Sequence, residues 1–121
     1  MNNTILVIED NEQNIYLMRF LLEKNGFQVL EARSAFEGIE KAYSSQLLAI
    51  LLDIQLPDMD GYAVAGKLRQ NEVLKAVPII AVTSYAMAGD REKALGAGCT
   101  GYIGKPIDPE TFIDEMKGYL P

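Results

Sequence analysis

Short apolar runs alternate with segments of helical periodicity along the whole chain. Five runs are rich in aliphatic residues and have the length of buried strands: 4–8, 27–32, 47–53, 77–84 and 100–104. The second run is more polar than the others, which predicts a place near the edge of a sheet. The pattern therefore predicts five strands with a helix after each.

The segments between these runs place apolar residues at helical spacing. The stripes are Ile15, Met18 and Leu22; Phe36, Ile39 and Tyr43; Val64 and Leu68; and Phe112, Ile113, Met116 and Leu120. The segment 87–96 is also helical in pattern, but it is polar and has only a thin apolar face. Helix ends are marked as well, because Ser34 and Glu37 have capping-box spacing and Asp108 precedes a proline.

Strands that alternate with helices over short links predict a parallel sheet covered by helices on both faces. The expected class is α/β: a single doubly wound five-stranded parallel sheet, (βα)5 and flavodoxin-like, with strand order 2-1-3-4-5. No linker, repeat or low-complexity tract interrupts the 121 residues. Residues 1–121 are therefore expected to form one domain.

Composition argues against a nucleic-acid-binding protein and against a membrane protein. The formal net charge of −6 and the pI of about 4.6 argue against direct nucleic-acid binding. No apolar run approaches the length of a membrane span, and the N-terminal segment lacks the basic region of a signal peptide. A cytoplasmic protein without membrane insertion is expected. The start at Met1 and the end at "GYLP" favour a free-standing protein.

The chain contains no histidine and a single cysteine, Cys99. A Cys/His catalytic pair is therefore impossible within this chain. The setting "LGAGCTGY" is typical of a small buried residue at the start of a strand. Any chemistry that requires an imidazole must use one from another protein.

Polar residues follow four of the five predicted strands, at the point where each strand ends. They are Glu9 and Asp10, Asp53, Thr83 and Ser84, and Lys105. Ligands of open parallel sheets bind beyond the carboxyl ends of the strands, where the strand order reverses. Each residue alone is typical of a helix cap or a solvated loop, so it is their combination that predicts a site.

Strands one and three are neighbours in the expected order, so Glu9, Asp10 and Asp53 should lie close together. Lys105 supplies one positive charge against three negative ones, which favours a bound cation. Carboxylates without histidine or cysteine suit Mg²⁺ or Ca²⁺, and an incomplete cage is the Mg²⁺ pattern. The predicted chemistry is phosphoryl transfer, with Asp53 as nucleophile and Thr83 as hydrogen-bond donor.

The sequence resembles the receiver domains of two-component response regulators over residues 4–120. The matching pieces are "VIEDNEQN", "LLDIQLPDMDGY", "IIAVTSYAM" and "GYIGKPID", in the family's order and spacing. The segments "DNEQN" and "SYAM" resemble those of single-domain regulators and hybrid-kinase receivers more than those of DNA-binding regulators. The resemblance implies a phosphoacceptor signalling domain and not an enzyme, beyond self-phosphorylation from small donors and slow self-dephosphorylation.

The resemblance also implies a role for each residue of the metal site. Asp53 corresponds to the phosphoaccepting aspartate. Glu9 and Asp10 match the acidic pair that holds Mg²⁺, and Gln55 is expected to add its backbone carbonyl. Glu9 replaces the commoner aspartate, so we expect it to act partly through water.

The remaining matches concern switching. Thr83 matches the switch hydroxyl, Tyr102 the aromatic switch, and Lys105 the family's lysine, whose bond to the following proline is expected to be cis. Gln55 and Tyr85 occupy positions that tune the lifetime of the phosphoryl group.

Partners follow from the same resemblance. A histidine kinase or histidine phosphotransfer protein is the expected donor, and a downstream effector is expected at the face of helix 4, strand 5 and helix 5. Two other functions fit the pattern less well. A phosphatase of the haloacid-dehalogenase type needs a second acid where Gln55 stands, and a flavodoxin-like electron carrier needs a hydroxyl- and glycine-rich loop where Glu9 and Asp10 stand.

Overall fold

In a computed structural model, which describes residues 2–84 and 89–121, the predicted sheet is present. The strands are β1 (Thr4–Ile8), β2 (Gln28–Ala32), β3 (Ala49–Asp53), β4 (Ile79–Thr83) and β5 (Gly101–Gly104). All neighbouring strands are parallel, in the order β2-β1-β3-β4-β5. The predicted fold class and strand order are confirmed, and the polar second strand does lie at an edge.

Helices follow the strands as the periodicity predicts. They are α1 (Glu12–Lys24), α2 (Ala35–Tyr43), α3 (Gly61–Arg69), α4 (Asp90–Ala97) and α5 (Phe112–Lys117), with a 3-10 turn at Glu72–Leu74. The first residues of the helix predicted at 87–96 lie outside the described residues. Among the helices that the structure describes, none has both the length and the apolar character to cross a membrane.

Apolar side chains fill both faces of the sheet, because side chains alternate between the faces along each strand. In β1, Leu6 and Ile8 pack with α2, α3 and α4, whereas Ile5 and Val7 pack with α1 and α5. Strands β3 and β4 are buried along their full length. Because both faces of these strands are buried, their sequences are continuous apolar runs without polar alternation.

Helix α2 faces the sheet with its small residues instead of its aromatic ones. Phe36 and Tyr43 are 75% and 49% exposed, whereas Ala35, Gly38 and Ala42 are buried. A Cβ on Gly38 would come within 2.5 Å of the Ile8 side chain, so the helix and the sheet approach too closely for a larger residue. Of the predicted stripe of Phe36, Ile39 and Tyr43, only Ile39 packs against the core, and it is partly buried, whereas Phe36 and Tyr43 are exposed.

The last helix begins later than its sequence signals predict. The structure places the first helical residue at Phe112, whereas Asp108 and Pro109 were predicted as cap and first position. The Asp108 carboxylate accepts a hydrogen bond from the Glu110 amide (2.9 Å), and its carbonyl accepts from Thr111 and Phe112. Asp108 therefore makes the contacts of a helix cap, but the residues directly after it form a turn that precedes the first residue of α5.

Cys99 is 5% exposed, and burial raises the pKa of its thiol to about 11 against a weaker opposite effect of Arg69. Since the thiolate is the reactive form, we expect iodoacetamide to alkylate the native protein at least about a hundredfold more slowly than the urea-unfolded chain at pH 8. Mass spectrometry of timed samples measures both rates. Equal rates in the two states would contradict the buried, structural assignment of Cys99.

Candidate functional site

The carboxyl edge of the sheet gathers the polar residues that the sequence singles out. The register pairs Ile8 with Leu52, so that Glu9, which follows β1, and Asp53, which ends β3, stand on neighbouring strands. Thr83 ends β4 and pairs with Gly104, the residue before Lys105. The strand ends therefore bring Glu9, Asp53, Thr83 and Lys105 to one edge, as predicted.

Three carboxylates form a cluster at this edge. One oxygen each from Glu9, Asp10 and Asp53 lies within 4.8 Å of the others. Glu9 and Asp53 are buried, with exposures of 1% and 3%, whereas Asp10 is exposed. Burial of two ionised carboxylates this close together costs free energy, unless a nearby positive charge compensates them.

Lys105 supplies part of that charge. Its Nζ lies 2.9 Å from Glu9 Oε1 and 3.2 Å from Asp53 Oδ1. Burial lowers the pKa of Lys105, but the two carboxylates outweigh this effect and the net shift is upward. Burial also raises the pKa of Glu9 to about 7, an effect that Lys105 opposes and that Asp53 reinforces. The ammonium thus compensates the acids only in part.

The residues present fit a divalent cation. Three carboxylates and one ammonium leave a formal charge of −2 when all are ionised. Although Glu9 Oε1 is ion-paired with Lys105, the pair lacks hydrogen-bond geometry and this buried oxygen has no donor within the described part of the chain. A hard cation bound by oxygen ligands would offset the remaining negative charge. The cluster can therefore hold Mg²⁺.

The loop after β3 closes tightly beside this cluster. The amide of Gln55 donates to Asp53 Oδ1 (3.0 Å), and the amide of Gly61 donates to the Ile54 carbonyl (2.9 Å). A Cβ at Gly61 would stand 2.5 Å from Ile54 Cα and 2.7 Å from the Asp53 carbonyl oxygen, both backbone atoms. Only glycine fits there, so the loop is held against the strand that carries Asp53.

The residues predicted to act in switching lie at the end of β4 and on β5. Thr83 is buried at the end of β4, and Tyr102 is half-buried on β5 beside the core on the α2–α3–α4 face. The bond from Lys105 to Pro106 is cis, as the resemblance implies. Tyr85 lies outside the described residues. The switching roles of Thr83 and Tyr102 remain predictions.

Sequence reasoning missed two residues with several long-range contacts. Asp58 accepts hydrogen bonds from two amides at the start of α2, and backbone hydrogen bonds hold the pKa of its carboxyl below the usual value. Arg69 donates to carbonyls in the stretch 74–77 and to the Gly98 carbonyl. Asp58 stands in a turn motif and Arg69 at a helix end, but neither position reveals its distant backbone partners.

Comparisons with known proteins agree with this geometry. The family model of the response regulator receiver domain matches residues 5–117. The chain is 41% identical over 120 residues to the polar-differentiation response regulator DivK of Brucella ovis, covering 99% of this chain and 98% of that protein. DivK of Brucella anthropi is 39% identical over the same coverage.

Solved structures are similar over almost the whole chain. The chemotaxis response regulator CheY4 of Vibrio cholerae has a TM-score of 0.94 at 23% identity, covering 99% of this chain and 100% of that one, which shows the fold. The receiver domain of a sensor histidine kinase from Pseudomonas aeruginosa PAO1 has a TM-score of 0.88 at 32% identity, covering 98% of each chain. That structure has a magnesium ion coordinated in its active-site cleft.

Proposed function

Since this chain belongs to the response regulator receiver domain family of two-component signalling, we propose that it accepts a phosphoryl group on Asp53 in an Mg²⁺-dependent reaction. It is a signalling domain and not an enzyme in the main sense. We also propose that residues 1–121 act as one domain and that the group comes from a phosphohistidine of a kinase or phosphotransfer protein. The absence of histidine from the chain supports a donor in another protein.

The observation that carries this proposal is the setting of the Asp53 carboxylate. It is buried at the end of β3, within 3.2 Å of Lys105 Nζ and inside the acidic cluster. A carboxylate oxygen of Asp53 attacks phosphorus, the bond from phosphorus to the donor imidazole nitrogen breaks, and the imidazole leaves. Lys105 offsets the charge on the phosphoryl oxygens and Thr83 donates a hydrogen bond.

The metal would be held by the carboxylates of Glu9, Asp10 and Asp53 and by the backbone carbonyl of Gln55. When bound, Mg²⁺ supplies positive charge against the phosphoryl oxygens. The burial of Glu9 and its place in the acidic cluster support this assignment. The expectation that Glu9 acts partly through water remains part of the proposal.

The output is proposed to be a change of binding surface. Thr83 and Tyr102 would reorient after phosphorylation and alter the face of α4, β5 and α5, to which an effector protein binds. Tyr102 is half-buried, and its carbonyl accepts a hydrogen bond from the Tyr119 hydroxyl (3.2 Å), so β5 is coupled to the segment after α5. The net charge of −6 supports a protein effector over DNA. The cytoplasmic location also remains a prediction.

Incubation with Mg²⁺ and a small acyl phosphate tests the proposal. We expect a stoichiometric mass increase of one phosphoryl group that is stable in acid and labile in base, and we expect a chelator to abolish it. The absence of any mass increase in Mg²⁺ would contradict the phosphoacceptor function. Continuous hydrolysis of phosphate esters would instead indicate a haloacid-dehalogenase-type phosphatase, although Gln55 is unable to act as its general acid.

A further inference from the structure

Asp58 connects two segments that are distant in the sequence. Its Oδ1 accepts a hydrogen bond from the Ala35 amide (2.9 Å), and its Oδ2 accepts one from the Phe36 amide (3.0 Å). These amides open α2, where the first turn of a helix has N–H groups without helical partners. The carboxylate also stands at the positive end of the helix dipole. Asp58 is thus a cap supplied to α2 by the loop after β3.

Helix α2 has a second, local cap. Ser34 Oγ accepts a hydrogen bond from the Glu37 amide (3.1 Å), and Glu37 Oε1 accepts one from the Arg33 amide (2.8 Å). These bonds remain within the sequence around the start of the helix. The start of α2 is therefore stabilised by Ser34 without Asp58, and the distinctive effect of Asp58 is to join α2 to the β3–α3 loop.

The same loop carries Gln55 beside the acidic cluster. Locally, the loop is closed by the backbone bridge between Gln55 and Asp60, and Asp60 caps α3 through the Tyr62 amide (2.9 Å). Both interactions are with elements adjacent in sequence. Among the side-chain hydrogen bonds of the loop within residues 2–84 and 89–121, those of Asp58 join it to α2, whereas Gln55 Oε1 accepts one from Ser84 Oγ (3.1 Å) at the end of β4.

We propose that Asp58 is a positioning residue that holds the β3–α3 loop on α2 and so fixes the Gln55 backbone at the acidic cluster. Asp58 then sets the affinity of the site for Mg²⁺ without touching the ion. This inference rests on the proposed function, in which Gln55 offers its carbonyl to the metal. Mg²⁺ demands near-ideal octahedral geometry, so a small displacement of one ligand weakens binding.

The test compares Asp58→Ala with Ser34→Ala. Both variants remove a cap from the start of α2, but only Asp58→Ala releases the loop. Titration with Mg²⁺ alone, followed by calorimetry, should show affinity reduced about tenfold in Asp58→Ala, the low end of what indirect metal-site partners contribute. Ser34→Ala should match the wild type. Asp58→Asn keeps one acceptor oxygen and should fall between Asp58→Ala and the wild type.

Amide hydrogen exchange in the absence of metal provides a second measurement. The Gly61 amide, which bonds to the Ile54 carbonyl, should exchange faster in Asp58→Ala than in Ser34→Ala under conditions where both are folded. Equal Mg²⁺ affinities or equal exchange in the two variants would overturn the inference. If the wild type bound no Mg²⁺, the proposed function would fail as well, and the exchange data would still show separately whether Asp58 holds the loop.

Discussion

Asp53→Asn is expected to reduce phosphorylation by a small acyl phosphate at least about a hundredfold, because an amide lacks the anionic oxygen that attacks phosphorus. The asparagine has nearly the same shape as the aspartate. It can still accept the Gln55 amide bond at 3.0 Å through its amide oxygen. Loss of labelling should therefore occur in a protein that remains folded.

Asp60→Asn is the matched control. Asp60 lies in the same loop and is exposed, and its carboxylate caps α3 and does not join the acidic cluster. Intact-protein mass spectrometry after incubation with Mg²⁺ and acyl phosphate should show wild-type labelling in Asp60→Asn and none in Asp53→Asn. Equal labelling of Asp53→Asn and the wild type would refute Asp53 as the acceptor.

Removal of the Arg69 guanidinium is expected to lower the free energy of unfolding substantially. Nε donates to the Gly98 carbonyl (2.8 Å), and Nη1 donates to the carbonyls of Leu74 and Val77 (2.7 Å each). Nη2 also lies 3.3 Å from Thr100 Oγ1. One side chain thus joins the end of α3 to the 3-10 turn, the approach to β4 and the turn before β5.

Arg69→Met keeps the aliphatic stem but leaves the carbonyls of Gly98, Leu74 and Val77, and the weaker 3.4 Å partner Lys75, without their charged donor. Hydrogen bonds to charged groups contribute about 1.5–3 kcal/mol each, and water replaces part of that at a half-buried site. We therefore expect the free energy of unfolding to fall by about 3 kcal/mol. Urea denaturation followed by circular dichroism measures this difference.

Arg91→Met provides the control, because Arg91 is an exposed residue of α4. Its free energy of unfolding should change by less than about 0.5 kcal/mol. Similar values for the two variants would mean that water replaces the Arg69 hydrogen bonds almost completely. In that case Arg69 would not be the structural link between α3 and β5 that its contacts indicate.

The amino-acid sequence by itself determined the fold and the polar residues that meet at the carboxyl edge of the sheet. Strand and helix periodicity is local, and the alternation of the two allows few topologies. Because parallel strands present their carboxyl ends at one edge, the residues after each run could be assembled without coordinates. Glu9, Asp53, Thr83 and Lys105 were found at that edge in this way.

Helix orientation was less predictable. Helical spacing placed Phe36, Ile39 and Tyr43 on the core face of α2, yet only Ile39 of the three packs against the core, and the helix approaches the sheet at Gly38. The hydrophobic pattern favours large residues as the core face, whereas close packing of helix against sheet selects small ones. The late start of α5 has a different, local cause. An aspartate such as Asp108 can cap either a turn or a helix, so the sequence signal does not fix the first helical residue.

Only the tertiary structure decided the contacts between distant segments. Lys105 approaches both Glu9 and Asp53, and Asp58 caps a helix that starts 23 residues earlier. Arg69 donates to carbonyls of the stretch 74–77 and of Gly98. The partners of Asp58 and Arg69 are backbone groups, which every residue carries. The sequence holds no signal for such partners, because their positions depend on how the chain packs and not on which residue types it contains.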